Sequence, residues 1–274
     1  MRTPLRRIQH VECSHDFQVL RDRAISETFV RSFEAHEEIG STNTRALELA
    51  GRRDVEHPCL VIADRQTAGR GRGANRWWSS SGSLTFSLLM RPDVERLPLA
   101  RWPELSLTVG SAVCASVSSF IADGDVRLKW PNDVFLNGRK VCGILVEVPP
   151  SSTGSIVVGI GLNINNSVDH APEELRQTAV SLCDVYGEQL SVSDVLVSVV
   201  QELERQFNWL SDDVDRVRQA WRKHDLLLGR TLTIGDERKT VTGTATGIDD
   251  DGALLLQTEA GLQRMYGGAV QSFE

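Results

Sequence analysis

The sequence has few of the residues and patterns that mark metal centres, disulfide frameworks and membrane proteins. Its five cysteines, Cys13, Cys59, Cys114, Cys142 and Cys183, form no C-x-x-C pair, and their odd count fits no closed disulfide framework. Its six histidines show no ligand spacing. No stretch is long and apolar enough to span a bilayer, and no apolar run follows the first basic residues as in a signal peptide. These absences predict a soluble protein with free thiols in a reducing cytoplasm.

The chain also lacks an excess of positive charge. Thirty Lys and Arg stand against 37 Asp and Glu in 274 residues, which gives a formal net charge of -7. A nucleic-acid binder normally carries a basic patch or stripe. Residues 1–35 show no pair of short amphipathic helices around a glycine turn, so we find no helix-turn-helix there. We therefore expect no DNA partner, and we interpret residues 1–35 as an N-terminal extension of weak helical periodicity.

What the sequence does have is an unusual stretch from Asp64 to Trp78, DRQTAGRGRGANRWW. Glycines let a ligand approach the backbone closely. Arginines offer a planar fork of donors that suits carboxylate and phosphate. This loop is therefore suited to a small anionic ligand, although a solvated surface loop is the plain alternative.

Strands and helices are predicted on both sides of this loop. Short apolar runs at 59–64, 85–90, 126–130, 134–136, 141–148 and 156–163 are typical of strands, and 103–122 and 193–210 have helical spacing. Turns as well as helices join these strands, with Asn137-Gly138 as a hairpin signal. We expect an α+β fold, a mixed sheet with helices on one face.

From Leu228 onward, short β runs alternate with turns, which predicts a small antiparallel barrel. The expected division is an N-terminal extension at 1–35, a catalytic domain at 36–226 and a C-terminal barrel at 227–274.

Four motifs together resemble the bacterial biotin–protein ligases, in the catalytic-only type that lacks the N-terminal DNA-binding domain. They are GSTN at 40–43, QTAGRGRG at 66–73, KWPND with GRKVCGILVE at 129–147, and GIGLN at 159–163. The resemblance implies the class II synthetase-like fold of biotin and lipoate ligases, with an SH3-like C-terminal barrel. It also implies that ATP and Mg²⁺ convert biotin into biotinyl-5'-AMP, and that a lysine of a biotin carboxyl carrier protein domain then receives the biotin. A homodimer is possible.

The resemblance also assigns site residues. Biotin would be bound by Ser41, Thr42, Asn43, Gln66, Gly69, Arg70, Gly71, Arg72, Lys140, Gly143 and Gly159. The nucleotide would be bound by Arg70, Arg72, Trp77, Lys129, Asn132, Asp133 and Asn163, with Arg72 and Lys140 as catalytic residues. Trp77 would close over the adenine, and Asn132 and Asp133 would contact the nucleotide or Mg²⁺. Metal ligands are not otherwise assigned.

Some features keep other interpretations open. After GRGR, many members carry further Arg and Gly, whereas here Gly73, Ala74, Asn75 and Arg76 follow. A lipoate–protein ligase shares fold and chemistry, but its triple-glycine motif is missing. A nucleic-acid-binding regulator with an RGR loop is the alternative from another class, and the acidic net charge opposes it.

Overall fold

The computed structural model describes residues 15–149, 154–235 and 240–273. The strands are β1 (Ser32–Ile39), β2 (Cys59–Gln66), β3 (Ser83–Met90), β4 (Val126–Lys129), β5 (Asp133–Leu136), β6 (Arg139–Glu147), β7 (Ile156–Asn163), β8 (Thr231–Gly235), β9 (Thr240–Ile248), β10 (Leu254–Thr258), β11 (Gly261–Met265) and β12 (Ala269–Phe273). The α-helices are α1 (Phe17–Glu27), α2 (Thr42–Leu49), α3 (Leu105–Phe120), α4 (Glu173–Arg176), α5 (Leu182–Tyr186), α6 (Val192–Asp212) and α7 (Val214–His224).

Seven strands form one mixed sheet in the order β1-β2-β3-β7-β6-β5-β4. Strands β1 and β2 are parallel, and the other neighbours are antiparallel. The two-residue turn at Asn137 and Gly138, both with positive φ, joins β5 to β6. This is the hairpin that the Asn-Gly signal predicts.

One face of this sheet packs against the long helices. Leu60, Ile62, Phe86 and Leu88 point to this side and share a buried cluster with α1, α3 and α6. Ser191 caps the start of α6, and its hydroxyl accepts a hydrogen bond from the Asp194 backbone N–H. The predicted mixed sheet with helices packed on it is confirmed.

The opposite face is covered differently, and the expectation of helices on one face only is wrong. Cys59, Val61 and Leu89 alternate with the residues of the first face and pack against α2. Helix α2 is short, so it covers only part of this face. The rest of this face carries small residues, namely Thr85 of β3, Gly143 of β6, and Gly159 and Gly161 of β7. These residues line the cavity described below.

The C-terminal strands form a five-stranded antiparallel sheet in the order β11-β10-β9-β8-β12. The Trp130 indole N–H donates to the Gly252 carbonyl at 3.0 Å, and Arg218 of α7 donates to the Asp250 carbonyl at 2.9 Å. Both contacts attach this sheet to the larger domain next to β4.

The N-terminal part of the described chain also belongs to the large sheet. Helix α1 packs against α6, and β1 crosses the expected boundary between residues 35 and 36. The division at residues 35 and 226 stays a prediction. The described cysteines, Cys59, Cys114, Cys142 and Cys183, are free thiols, and Cys13 lies outside the described residues. Within the ranges that the structure describes, no helix has the length and apolar character needed to cross a membrane.

Candidate active site

A cavity of about 770 Å³ lies on the open face of the large sheet, beside α2. Three parts of the chain enclose it: the sheet with the start of α2, the glycine–arginine loop at 67–82, and the C-terminal sheet around Gly268–Gln271. The predicted site residues that line it are Ser41, Thr42, Asn43, Gln66, Arg70, Gly71, Arg72, Trp77, Lys129, Asn132, Asp133, Lys140, Gly143 and Gly159.

The floor beside α2 is a buried polar network. Ser41 caps α2, and its hydroxyl accepts from the Thr44 N–H. The Gln66 side-chain oxygen accepts from the Thr42 N–H at 2.7 Å and from the Thr42 hydroxyl at 3.1 Å. Asn43 accepts from the Ser87 hydroxyl at 2.6 Å and donates to the Leu145 carbonyl at 3.1 Å. These bonds hold uncharged donors and acceptors in fixed directions at one end of the cavity.

Two sheet glycines make close approach possible on this floor. A Cβ atom on Gly159 would stand 2.0 Å from Asn43 Oδ1, and one on Gly161 would stand 2.2 Å from Trp77 Cε2. The Trp77 ring also lies against Gly143, where a Cβ would be 3.2 Å away. The indole therefore lies flat on the sheet, and its buried N–H has no hydrogen-bond partner.

The glycine–arginine loop folds back on itself as a narrow hairpin. Gly71 and Asn75 share a backbone hydrogen bond of 2.8 Å, and the Trp77 N–H donates to the Gly69 carbonyl at 3.1 Å. Gly69 is buried under this turn and does not line the cavity; a Cβ there would stand 2.4 Å from the Trp77 carbonyl oxygen. The loop is anchored at two side chains: Arg70 pairs with Glu147 at 2.5 Å, and Arg72 donates to the Gly268 carbonyl at 3.1 Å.

Positive charge is concentrated at the other end of the cavity. Lys140 of β6 lies 2.6 Å from the carboxylate of Asp133, at the start of the adjacent strand β5. The Lys140 backbone N–H donates to the Thr178 carbonyl, and the Lys140 carbonyl accepts from the Val180 N–H. Lys129 stacks its ammonium between the rings of Phe135 and Phe273, and burial lowers its pKa.

Two predicted nucleotide contacts have structural partners instead. Asn132 lines the cavity, but its amide donates to the Ile144 carbonyl at 2.7 Å. Asn163 is not in the cavity lining: it is buried, donates to the Val180 carbonyl at 3.1 Å and accepts from the Asn166 amide. The structure therefore does not bring Asn163 to the site. A strand-ending Asn is equally suited to hold the following loop, which is what it does here.

The sequence interpretation missed the contribution of the C-terminal sheet. Gly235 and Gly268–Gln271 line the cavity, and Phe273 contacts Lys129. The adjacent glycines Gly267 and Gly268 were the one signal of a close approach in this region. No sequence pattern indicated a role for His15. Its ring lies 3.0 Å from the Ser83 carbonyl and 3.4 Å from the Asp64 carboxylate. Asp64 and Ser83 lie close to the two ends of the glycine–arginine loop.

Sequence profiles of two protein families match the chain. The profile of the Biotin/lipoate A/B protein ligase family matches residues 36–165, and that of the Biotin protein ligase C terminal domain matches residues 227–271. The first range contains the floor, the loop and the β5–β6 hairpin, and the second contains the C-terminal sheet.

Individual proteins are similar over most of the chain. The Biotin--[acetyl-CoA-carboxylase] ligase of Mycobacterium tuberculosis is 32% identical over 245 residues, which cover 88% of this chain and 89% of that protein. The Bifunctional ligase/repressor BirA of Bacillus spizizenii is 34% identical over 237 residues, covering 85% of this chain and 71% of that protein. The solved structure of the biotin protein ligase from Aquifex aeolicus in complex with biotin and ATP matches with a TM-score of 0.75 and 28% identity, covering 89% of this chain and 99% of that one.

Proposed function

The chain belongs to the biotin protein ligase family, and from this premise we propose that it activates biotin with ATP and transfers it to a lysine of a biotin carboxyl carrier protein domain. The observation that carries the proposal is the two-ended cavity. A buried polar floor lies at one end, with Arg70 joined to it through Glu147, and Arg72, Arg76, Lys129 and Lys140 line the rest. Biotin has a neutral polar ring system and an anionic tail, and ATP carries a polyphosphate. The polar floor suits the biotin ring system, and the cationic side chains suit the anionic tail and the phosphates.

In the first step, a biotin carboxylate oxygen attacks the α-phosphorus of ATP. The bond from that phosphorus to the β-phosphate oxygen breaks, and pyrophosphate leaves with the electron pair. The nucleophile is already ionised, so no protein base is needed. The protein must hold two anions together and neutralise their charge. We assign this role to Arg70, Arg72 and Lys140, with Lys129 facing the phosphates.

Ser41, Thr42, Asn43 and Gln66 are the side chains that we assign to the biotin ring system. Their donors and acceptors are preorganised, because each is held by the network of the floor. Gly143 and Gly159 lie beneath Trp77 and Asn43, and their missing side chains let these two groups, which we assign to the ligand, lie against the sheet. Trp77 is the aromatic ring that the proposal places against the ligand, and its closure over adenine stays a prediction.

In the second step, the neutral ε-amine of the carrier lysine attacks the acyl carbon of biotinyl-5'-AMP. The bond from the acyl carbon to the phosphate oxygen breaks, AMP leaves, and the amine loses a proton as the amide forms. The mixed anhydride must be shielded from water until the lysine arrives. The glycine–arginine loop stands over the cavity and is the segment placed to do this.

The proposal includes Mg²⁺ bound with ATP. Across residues 15–149, 154–235 and 240–273, no three His, Cys, Asp or Glu side chains cluster in a way that would hold a metal ion. Mg²⁺ at nucleotide sites is usually bound by one or two carboxylates and the substrate phosphates. Asp133 is the carboxylate among the cavity-lining residues, so it fits as the protein ligand. Such an ion would neutralise phosphate charge.

The test is to incubate the purified protein with biotin, ATP and Mg²⁺ and to look for biotinyl-5'-AMP by mass spectrometry. A carrier domain added next should gain one biotinyl group, and a carrier whose acceptor lysine is replaced by arginine should not. Lipoate in place of biotin should give neither product. Absence of the adenylate with biotin would contradict the proposal. The lack of a DNA partner, the cytoplasmic location and a homodimer stay predictions; specific operator binding in a gel-shift assay would contradict the first.

A further inference from the structure

One carboxylate outside the cavity lining connects two of the residues that we assign to the ligand. Glu147 is the last residue of β6, and alternation along the strand puts it on the same face as Gly143 and Leu145. Gly143 and Leu145 line the cavity, and Glu147 does not. Its position therefore suits a supporting residue more than a ligand contact.

The two oxygens of Glu147 have different partners. Oε1 accepts from Arg70 Nη2 at 2.5 Å, and Oε2 accepts from Asn43 Nδ2 at 2.9 Å. Asn43 has no freedom to turn, because its Oδ1 accepts the Ser87 hydroxyl at 2.6 Å. The carboxylate thus joins the partly exposed arginine of the loop to a hydrogen-bonded side chain of the floor.

The arginine gains order from this contact. The Arg70 side chain is 41% exposed, and a free arginine samples many rotamers. A guanidinium has five N–H donors, and the contact with Glu147 uses one end of it. Donors therefore remain for an incoming anion, while the position of the group is already fixed.

We propose that Glu147 is a positioning residue: it presets Arg70 for the carboxylate of biotin and then for the phosphate of the adenylate. This inference rests on the proposed function, since it names how one assigned arginine is held. Without Glu147, Arg70 would have to be ordered by the ligand itself, and ligand affinity would fall by the cost of that ordering.

The experiment is a double-mutant cycle read by calorimetry. We expect Glu147→Gln to weaken biotin binding about tenfold in the wild-type background and to change it little in the Arg70→Ala background, because interacting residues are not additive. Glu147→Asp keeps the charge but is one methylene shorter, so it cannot reach both donors. It should show a similar loss and serves as the second variant if Glu147→Gln does not fold.

The matched control is Asp212→Asn, which removes a carboxylate that pairs with Arg96 at 2.8 Å away from the cavity lining. It should leave biotin affinity unchanged. Equal losses from Glu147→Gln with and without Arg70 would overturn the inference, and so would unchanged affinity in Glu147→Gln and Glu147→Asp. Absence of biotin binding by the wild-type protein would instead contradict the proposed function.

Discussion

Arg72 of the glycine–arginine loop donates a hydrogen bond to the backbone carbonyl of Gly268, 196 residues further along the chain, at 3.1 Å. The loop starts in the large domain, and Gly268 precedes the last strand of the C-terminal sheet. Since both segments line the cavity, the wall over the proposed site is shared by two domains. The contact indicates that the C-terminal sheet helps to hold the loop in place.

Replacing Arg72 with glycine should loosen this wall and leave the polar floor intact. We expect pre-formed biotinyl-5'-AMP to dissociate roughly tenfold faster, the size of effect of losing one charge-assisted hydrogen bond. Biotin should then appear on lysines of added albumin. The control is Arg52→Gly, whose arginine pairs with Asp54 and does not line the cavity. An intermediate that stays bound as long as in the wild type, with no labelled albumin, would show that the loop does not retain it.

Replacing Lys140 with alanine should impair adenylate formation. The change removes a cation from between two reacting anions and leaves Asp133 without its partner at 2.6 Å. We expect a loss of roughly 100-fold or more in the rate of pyrophosphate release, as for other single electrostatic stabilisers. The midpoint of thermal unfolding should change little, because Lys140 is only partly buried. An unchanged rate in Lys140→Ala would show that Lys140 does not contribute to adenylate formation.

Replacing Gly159 with alanine should displace Asn43. The new Cβ would stand 2.0 Å from Asn43 Oδ1, which is far inside contact distance. We expect biotin affinity to fall by at least about tenfold and stability by ~1–3 kcal/mol, the usual cost of overpacking. Gly51→Ala is the matched control, because nothing lies within 4 Å of a Cβ there. Calorimetry and denaturant unfolding measure the two effects, and equal behaviour of the two variants would contradict the prediction.

Acid should destabilise the fold through three histidines that are buried or partly buried. Burial lowers the pKa of His15, His57 and His224. The unfolded chain therefore binds these protons at higher pH than the folded chain does, so stability falls as the pH drops through about 6.5. His224→Gln should reduce this loss, since glutamine can still donate to the Val126 carbonyl, which His224 Nδ1 reaches at 3.0 Å. The loss of stability is measured as the difference between the denaturant midpoints at pH 7.5 and 5.5, for the wild type and for His224→Gln. An identical difference in both proteins would show that His224 does not contribute to the loss.

The long elements were predictable because their patterns are strong. Strand β7 matches its predicted range, and α6 differs by one or two residues at its ends. Strand β1 was missed, because an edge strand with Glu34, His36, Glu37 and Glu38 lacks the apolar alternation that marks a half-buried strand. Strand β12 was missed for a similar reason: it is short and largely exposed.

The site was predictable where residues lie close together in a motif, and not where the fold brings distant ones together. The loop, the floor and the β5–β6 hairpin meet at one cavity. No pattern in the sequence places Phe273 beside Lys129 or Glu147 between Asn43 and Arg70. The same limit explains Asn163, since sequence alone does not tell which side of a strand end faces the cavity.

The Trp77 ring also has an optical consequence. Indole emission depends strongly on the polarity around the ring, and this indole lies on bare glycine backbone with its N–H unpaired, beside the space where a ligand would enter. The protein thus carries an intrinsic fluorophore inside the cavity, where an arriving ligand would change its wavelength and intensity. With a Trp77→Phe variant to subtract the other five tryptophans, occupancy of the site can be followed in real time without any label.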